Sequence, residues 1–179
     1  MNEYSSVSKI FLTGFSGSGK STLAPLLASR FGYHSRDIDT ELEHYEGASC
    51  NEVIQRCGLA YFRIREKGLI YDIIEKEERC VVALGGGAVT IDGIIPHLRK
   101  NVLVVWIQVK LEEIINRLRS KNDRPLLQGK TEEELSLFLC QRESYYRQVA
   151  HLAVDVSGLS VEKTVDKLHD SIVTFLGQK

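Results

Sequence analysis

Short, nearly continuous apolar runs recur along the chain and alternate with longer segments that are apolar on one side only. The runs at 10–13, 80–84, 101–109 and 152–156 read as buried strands, and the stretch VLVVWIQV makes 101–109 the clearest of them. Residues 33–38 form a weaker strand candidate. Between the runs, 21–31, 59–76, 91–98, 111–119, 132–149 and 161–176 read as helices. Segments 41–46 and 50–56 read as short helices broken at Gly47 and Gly58. Gly32 stops the first helix, and Pro25 lies near its start, where a missing N–H costs least. Five strands, each followed by helix, predict a doubly wound α/β fold, a parallel sheet covered on both faces. Ligands of such sheets sit beyond the carboxyl ends of the strands, so the residues just after each strand carry the functional interest.

The chain has 179 residues, which predicts a single domain, 1–179. Its 43% hydrophobic and 26% charged residues exclude a disordered, collagen-like or fibrous protein. The net charge of -1 leaves no broad basic field, so neither nucleic acid nor membrane is an expected partner. An anionic ligand must be met by locally placed cations. Cys50, Cys57, Cys80 and Cys140 form no CxxC pair and no cluster of zinc spacing, so we expect reduced thiols packed as small apolar groups. Reduced thiols and an opening, MNEYSSVSK, without an apolar signal core predict a cytoplasmic protein. Nothing suggests a large apolar interface, and a monomer is expected.

Directly after the first strand stands GFSGSGKST, 14–22, which satisfies GxxxxGK[ST] at Gly14, Gly19, Lys20 and Ser21. Glycines let the backbone fold tightly with its N–H groups turned inward. The helix that follows points its positive end at the same spot. Lys20 adds a full charge for the β- and γ-phosphates, and the Ser21 hydroxyl can bind Mg²⁺. A chance match in a chain of this length arises on the order of one time in a hundred, and this one also sits between strand and helix. The sequence therefore predicts a nucleoside triphosphate ligand. No NKxD reads guanine, and the chain is short for a motor, which leaves phosphoryl transfer to a small molecule.

Four features bear on the acceptor. Asp37 and Asp39, in DID, would point to one face of an extended segment, one near Mg²⁺ and one near an acceptor hydroxyl; helix capping explains them about as well. Arg63 and Glu66, in FRIRE, share a helix face, so the glutamate can hold a guanidinium suited to a carboxylate; taken alone, the pair reads better as a solvated salt bridge. Gly85, Gly86 and Gly87, in GGGAV, allow close approach of backbone to ligand. Arg117 and Arg119 end a helix, Arg124 opens RPLL in the polar loop 122–130, and Arg142 lies inside a long helix. An arginine on a mobile loop can close over phosphates, although each of these singly reads as surface charge.

The ordered set GFSGSGKST, DID, FRIRE, GGGAV, RPLL and R-x-x-x-Y from Arg142 to Tyr146 resembles shikimate kinase over nearly the whole chain. The P-loop is shared by many families; the spacing of the others discriminates. The resemblance implies a P-loop kinase-like sheet of order 2-3-1-4-5, a lid about 122–130 and a substrate-binding region about 37–66. It implies transfer of the γ-phosphoryl of ATP to the 3-hydroxyl of shikimate, in the route to chorismate and the aromatic amino acids. ATP is then the co-substrate and Mg²⁺ the cofactor. Gly17, Ser18, Gly19, Lys20, Ser21 and Thr22 would hold the phosphates. Ser21 would bind Mg²⁺ directly and Asp37 through water. Asp39 would grip the shikimate hydroxyls and is the candidate base. Arg63 and Arg142 would clamp the carboxylate beside Gly85, Gly86 and Gly87. Arg124 would be the lid arginine and Arg117 the one against adenine. The chain departs from the family's pattern at 155–160, DVSGLS, where a further nucleotide-contacting arginine is often found.

Gluconate and nucleoside-monophosphate kinases are the nearest rival enzymes, and GGGAV with FRxxE argues against both. A binding module without catalysis is the rival of another class. Pure binding needs neither DID nor a lid arginine.

Overall fold

The computed structural model describes residues 7–76, 78–119 and 131–178. Five strands, β1 (Lys9–Thr13), β2 (His34–Asp37), β3 (Cys80–Ala83), β4 (Leu103–Gln108) and β5 (Leu152–Asp155), form one parallel sheet of order β2-β3-β1-β4-β5. This is the order the resemblance implies. The chain moves to one side of β1 for β2 and β3 and then crosses to the other side for β4 and β5. The sheet thus has its switch point at the carboxyl end of β1, where a crevice opens.

Side chains alternate across a strand, and both faces here are covered, so the central runs are apolar throughout. Ile10, Leu12, Val81, Ala83, Val105 and Ile107 pack against α1 (Lys20–Phe31) and α7 (Val161–Gly177). Phe11, Val82, Val104 and Trp106 face the opposite core, shared with α3 (Cys50–Glu75), α4 (Ile94–Asn101) and α6 (Glu132–Val149). Helices α2 (Ile38–Glu46) and α5 (Leu111–Arg119) complete the set.

The pattern placed most elements within a residue or two, with three differences of physical interest. Helix α2 begins at Ile38 rather than at 41, because Asp37 is its N-cap and accepts a hydrogen bond from Thr40 N at 3.1 Å. Asp37 and Asp39 therefore do not share a face of an extended segment: one ends β2 and the other lies in the first turn of a helix. The helix expected at 91–98 starts at Ile94, behind a 3₁₀ turn at Ala88–Thr90 and Gly93 with φ 74°. The segments 50–56 and 59–76 run on as α3, with Gly58 at φ 86°, ψ 158° as the break between them.

Of the four free cysteines, only Cys80 is fully buried; Cys57 and Cys140 are exposed, against the expectation that all pack as apolar groups. The lid expected at 122–130, with Arg124, lies outside the described residues. Among those that are described, no helix is long and apolar enough to cross a membrane.

Candidate active site

Between β1 and α1 the chain turns through Gly14 (φ 143°), Gly17 (φ 86°) and Gly19 (φ 95°). At Gly14 a Cβ would fall 2.7 Å from the carbonyl oxygen of Ile107, so β1 can approach the end of β4 only with glycine there. Gly19 is the N-cap of α1 and supplies no side chain, which leaves the first turn of the helix open. Lys20 is buried, 7% exposed, and its ammonium donates to Gly14 O at 2.7 Å and to Phe15 O at 3.0 Å. The charge is thereby held over the loop it belongs to.

A cavity of about 320 Å³ opens over this turn. Gly17, Ser18, Gly19, Lys20, Ser21 and Thr22 line it, as do Asp39 from α2, Gly86 from the loop after β3, and Arg117 from α5. Arg117 donates to Gly17 O and to the Glu113 carboxylate, each at 3.2 Å. Glu113 also accepts from Gly158 N at 2.8 Å, which ties α5 to the loop after β5. That loop and the start of α7 add Val156, Leu159, Val161 and Thr164 to the lining. These four carry no motif. Their one signal in the sequence is their place just past the last strand, at the carboxyl edge of the sheet.

Next to the P-loop, the glycine run brings the remaining candidates together. A Cβ at Gly85 would press on the Glu66 carboxylate and lie 2.9 Å from Asp39 Oδ1. One at Gly86 would lie 2.8 Å from Ser16 Oγ, and one at Gly87 would run into the Arg63 guanidinium. A side chain at any of the three would displace a group of the site, Glu66 and Asp39 at Gly85, Ser16 at Gly86 and Arg63 at Gly87. Arg63 pairs with Glu66 one turn further along α3. Glu66 is 0% exposed, so this is not the solvated bridge that spacing alone suggests. Its Oε1 has no hydrogen-bond partner among the described residues. Burial pushes its carboxyl up to about 7; Arg63 opposes the rise and Asp39 adds to it.

Helix α6 completes the ring. Arg142 donates to Gly86 O at 3.3 Å, and its guanidinium carbon stands 4.0 Å from the centre of the Phe138 ring. Tyr146, wholly buried, donates to the same Gly86 oxygen at 2.5 Å. Burial lowers the pKa of Arg142 from its usual range, and the nearby Arg63 cation lowers it further. Two guanidinium groups against one glycine turn, in a setting that disfavours their charge, make a place for an anion.

Asp39, Arg63, Gly85, Gly86, Gly87 and Arg142 thus converge, and Lys20, Ser21 and Arg117 line the adjoining cavity. Asp37 caps α2 and does not line that cavity. Glu66 belongs with the converging groups as a buried carboxylate, where spacing presented it only as a holder for Arg63. Among the described residues no cluster of three or more His, Cys, Asp or Glu forms a metal cage. Mg²⁺ seldom needs one, since it keeps its waters and binds through one or two oxygen ligands plus phosphates. The Ser21 hydroxyl at the cavity surface and Asp37, whose second oxygen accepts from no described residue, fit that demand.

Known proteins agree with this geometry. The family model for shikimate kinase matches residues 16–173. A shikimate kinase from Geobacter metallireducens is 40% identical over 92% of this chain and 91% of its own length. One from Chlorobium chlorochromatii is 35% identical over 94% and 93%. Among solved structures, shikimate kinase from Acinetobacter baumannii in complex with shikimate aligns with a TM-score of 0.89 at 28% identity, covering 96% of each chain. A gluconokinase from Sinorhizobium meliloti reaches a TM-score of 0.61 at 15% identity, a likeness of fold alone. The motif order, the sheet order and the two arginines on the glycine run, together with these relatives, make the chain a member of the shikimate kinase family.

Proposed function

We propose that the protein transfers the γ-phosphoryl group of ATP to the 3-hydroxyl of shikimate, releasing ADP and shikimate 3-phosphate. The observation that carries this reading is the gathering of Asp39, Arg63 and Arg142 on Gly85–Gly87, beside the cavity that holds Lys20. A small ring acid with hydroxyls suits it: its carboxylate takes the two guanidinium groups, and a hydroxyl meets Asp39. Asp39 aims that hydroxyl and accepts its proton as the oxygen–phosphorus bond forms and the bond to the ADP oxygen breaks. Lys20 and the N-terminus of α1 stabilise charge on the phosphates. Ser21 directly and Asp37 through water would hold Mg²⁺, which would supply positive charge against the phosphates. Arg117, with Val156 and Leu159 lining the same cavity, receives the base, so apolar packing serves where the family often has an arginine. Arg124, outside the described residues, is assigned to the phosphates on the resemblance.

The reading takes 1–179 as one kinase domain and the protein as a cytoplasmic monomer without nucleic-acid or membrane partners, in keeping with its net charge of -1. A coupled ADP-release assay with shikimate, gluconate and AMP as acceptors tests it. Turnover with shikimate and background rates with the other two are expected; preference for either rival acceptor overturns it.

A further inference from the structure

A second cavity, of about 240 Å³, lies at the opposite end of the sheet. Lys9, the first residue of β1, lines it together with Arg99 and Lys100 from the end of α4. Gly14, where the phosphate turn begins, follows Lys9 by a strand length of roughly 17 Å. Among the described residues no acidic side chain is in the lining. The apolar part of the wall is Val7, Val102, Leu103, Phe175 and Leu176.

Among the described residues no carboxylate pairs with the cations of this cavity. Lys9 is only 8% exposed, and its ammonium makes no hydrogen bond or ion pair with the described residues. That ammonium is not sealed from solvent, and a cation open to the cavity without such a partner is placed to meet an anion. Lys100 likewise makes no hydrogen bond or ion pair with the described residues and stands at the surface. Arg99 spends one nitrogen, Nη1, on Gln148 O at 2.8 Å and Ala150 O at 3.1 Å. That fixes the guanidinium and leaves its other N–H groups without a described acceptor. His151 is not a further cation: its Nδ1 accepts from Val104 N at 3.1 Å, so the ring is neutral and turns Nε2–H toward Arg99 O.

We propose that this cavity is a binding site, separate from the catalytic one, for a small organic carboxylate. The anionic group meets Lys9, with Arg99 and Lys100 at the rim, and a short apolar body lies against Val102, Phe175 and Leu176. The volume falls below the roughly 300–1,000 Å³ of drug-sized ligand sites, which limits the ligand to a single ring or a short chain.

Benzoate is a suitable probe, titrated into the full chain saturated with shikimate so that Arg63 and Arg142 are occupied. Backbone amide shifts in two-dimensional NMR are the readout. Saturable shifts are expected at Ser8, Lys9, Asn101, Val102 and Leu176, with affinity reduced roughly tenfold or more in Lys9→Met. Lys100→Ala, at an exposed position that leaves the core untouched, should weaken binding a few-fold. Absence of shifts at those amides overturns the proposal, as does unchanged affinity in both variants. Inorganic phosphate serves as the second arm: a response equal to that of benzoate would show a site for any anion and overturn the organic assignment.

Discussion

Glu66 shows what a single side chain does in this site. It has no exposure, one oxygen on Arg63 and the other, beside Asp39, without a partner among the described residues. Its carboxyl titrates near 7 rather than 4.5, so between those values the folded chain holds a proton that the unfolded chain has released. Stability from this group is therefore full at low pH and lost as pH rises through that window, a change on the order of 3 kcal/mol. The melting temperature of the ligand-free protein should fall between pH 5 and 8, and Glu66→Gln should flatten the fall; parallel profiles would contradict the assignment. Asp39→Asn should lower kcat roughly 10²–10⁴-fold with shikimate saturating, and an unchanged kcat would remove its role as base. Arg63→Ala should raise the KM for shikimate roughly 10–100-fold and leave the KM for ATP nearly unchanged. Because it also strands Glu66 in the interior, the melting temperature must be followed alongside. The Arg63–Glu66 pairing was legible in FRIRE. Its burial was not, because spacing along a helix says nothing about what packs over it.

The elements show where pattern reading succeeds and where it runs short. Strand β4 is buried between neighbours on both sides and both faces, so its run of apolar residues announces it. Strand β2 is an edge strand of His34, Ser35, Arg36 and Asp37, with no buried residue, and its sequence says little. The start of α2 was hidden because Ile38 and Asp39 read as the continuation of that strand. The cap at Asp37 decides the boundary, and its carboxylate reaches Thr40 N only once the chain has turned. The loop elements were more legible: two glycine-rich segments, each after a strand, stand together at one edge of the sheet. They do different work, which substitution separates. Gly87→Ala places a methyl group against Arg63 and should raise the KM for shikimate while sparing that for ATP. Gly14→Ala combines an unfavourable φ with a 2.7 Å contact to Ile107 O, and should damage ATP binding and stability together. Equal effects of both substitutions on both substrates would contradict this division.

At the scale of the whole molecule, topology is what turns residues distant in sequence into one site. Parallel pairing sets the carboxyl ends of all five strands along one edge of the sheet, so the P-loop, Asp39, the glycine run and the Val156–Leu159 loop meet there. Helices α3 and α6 then bring Arg63 and Arg142 onto the glycine turn from two directions. The order of motifs made this convergence an expectation. The wall after β5 carries no motif, because a surface that packs against a flat base needs apolar residues of no particular identity. The most direct test of the convergence is a crystal structure with shikimate and ADP. The account predicts the shikimate carboxylate within hydrogen-bond distance of both Arg63 and Arg142, with a ring hydroxyl on Asp39 and facing the nucleotide. A carboxylate turned away from those arginines, or a ring bound outside the Gly85–Gly87 turn, would contradict it.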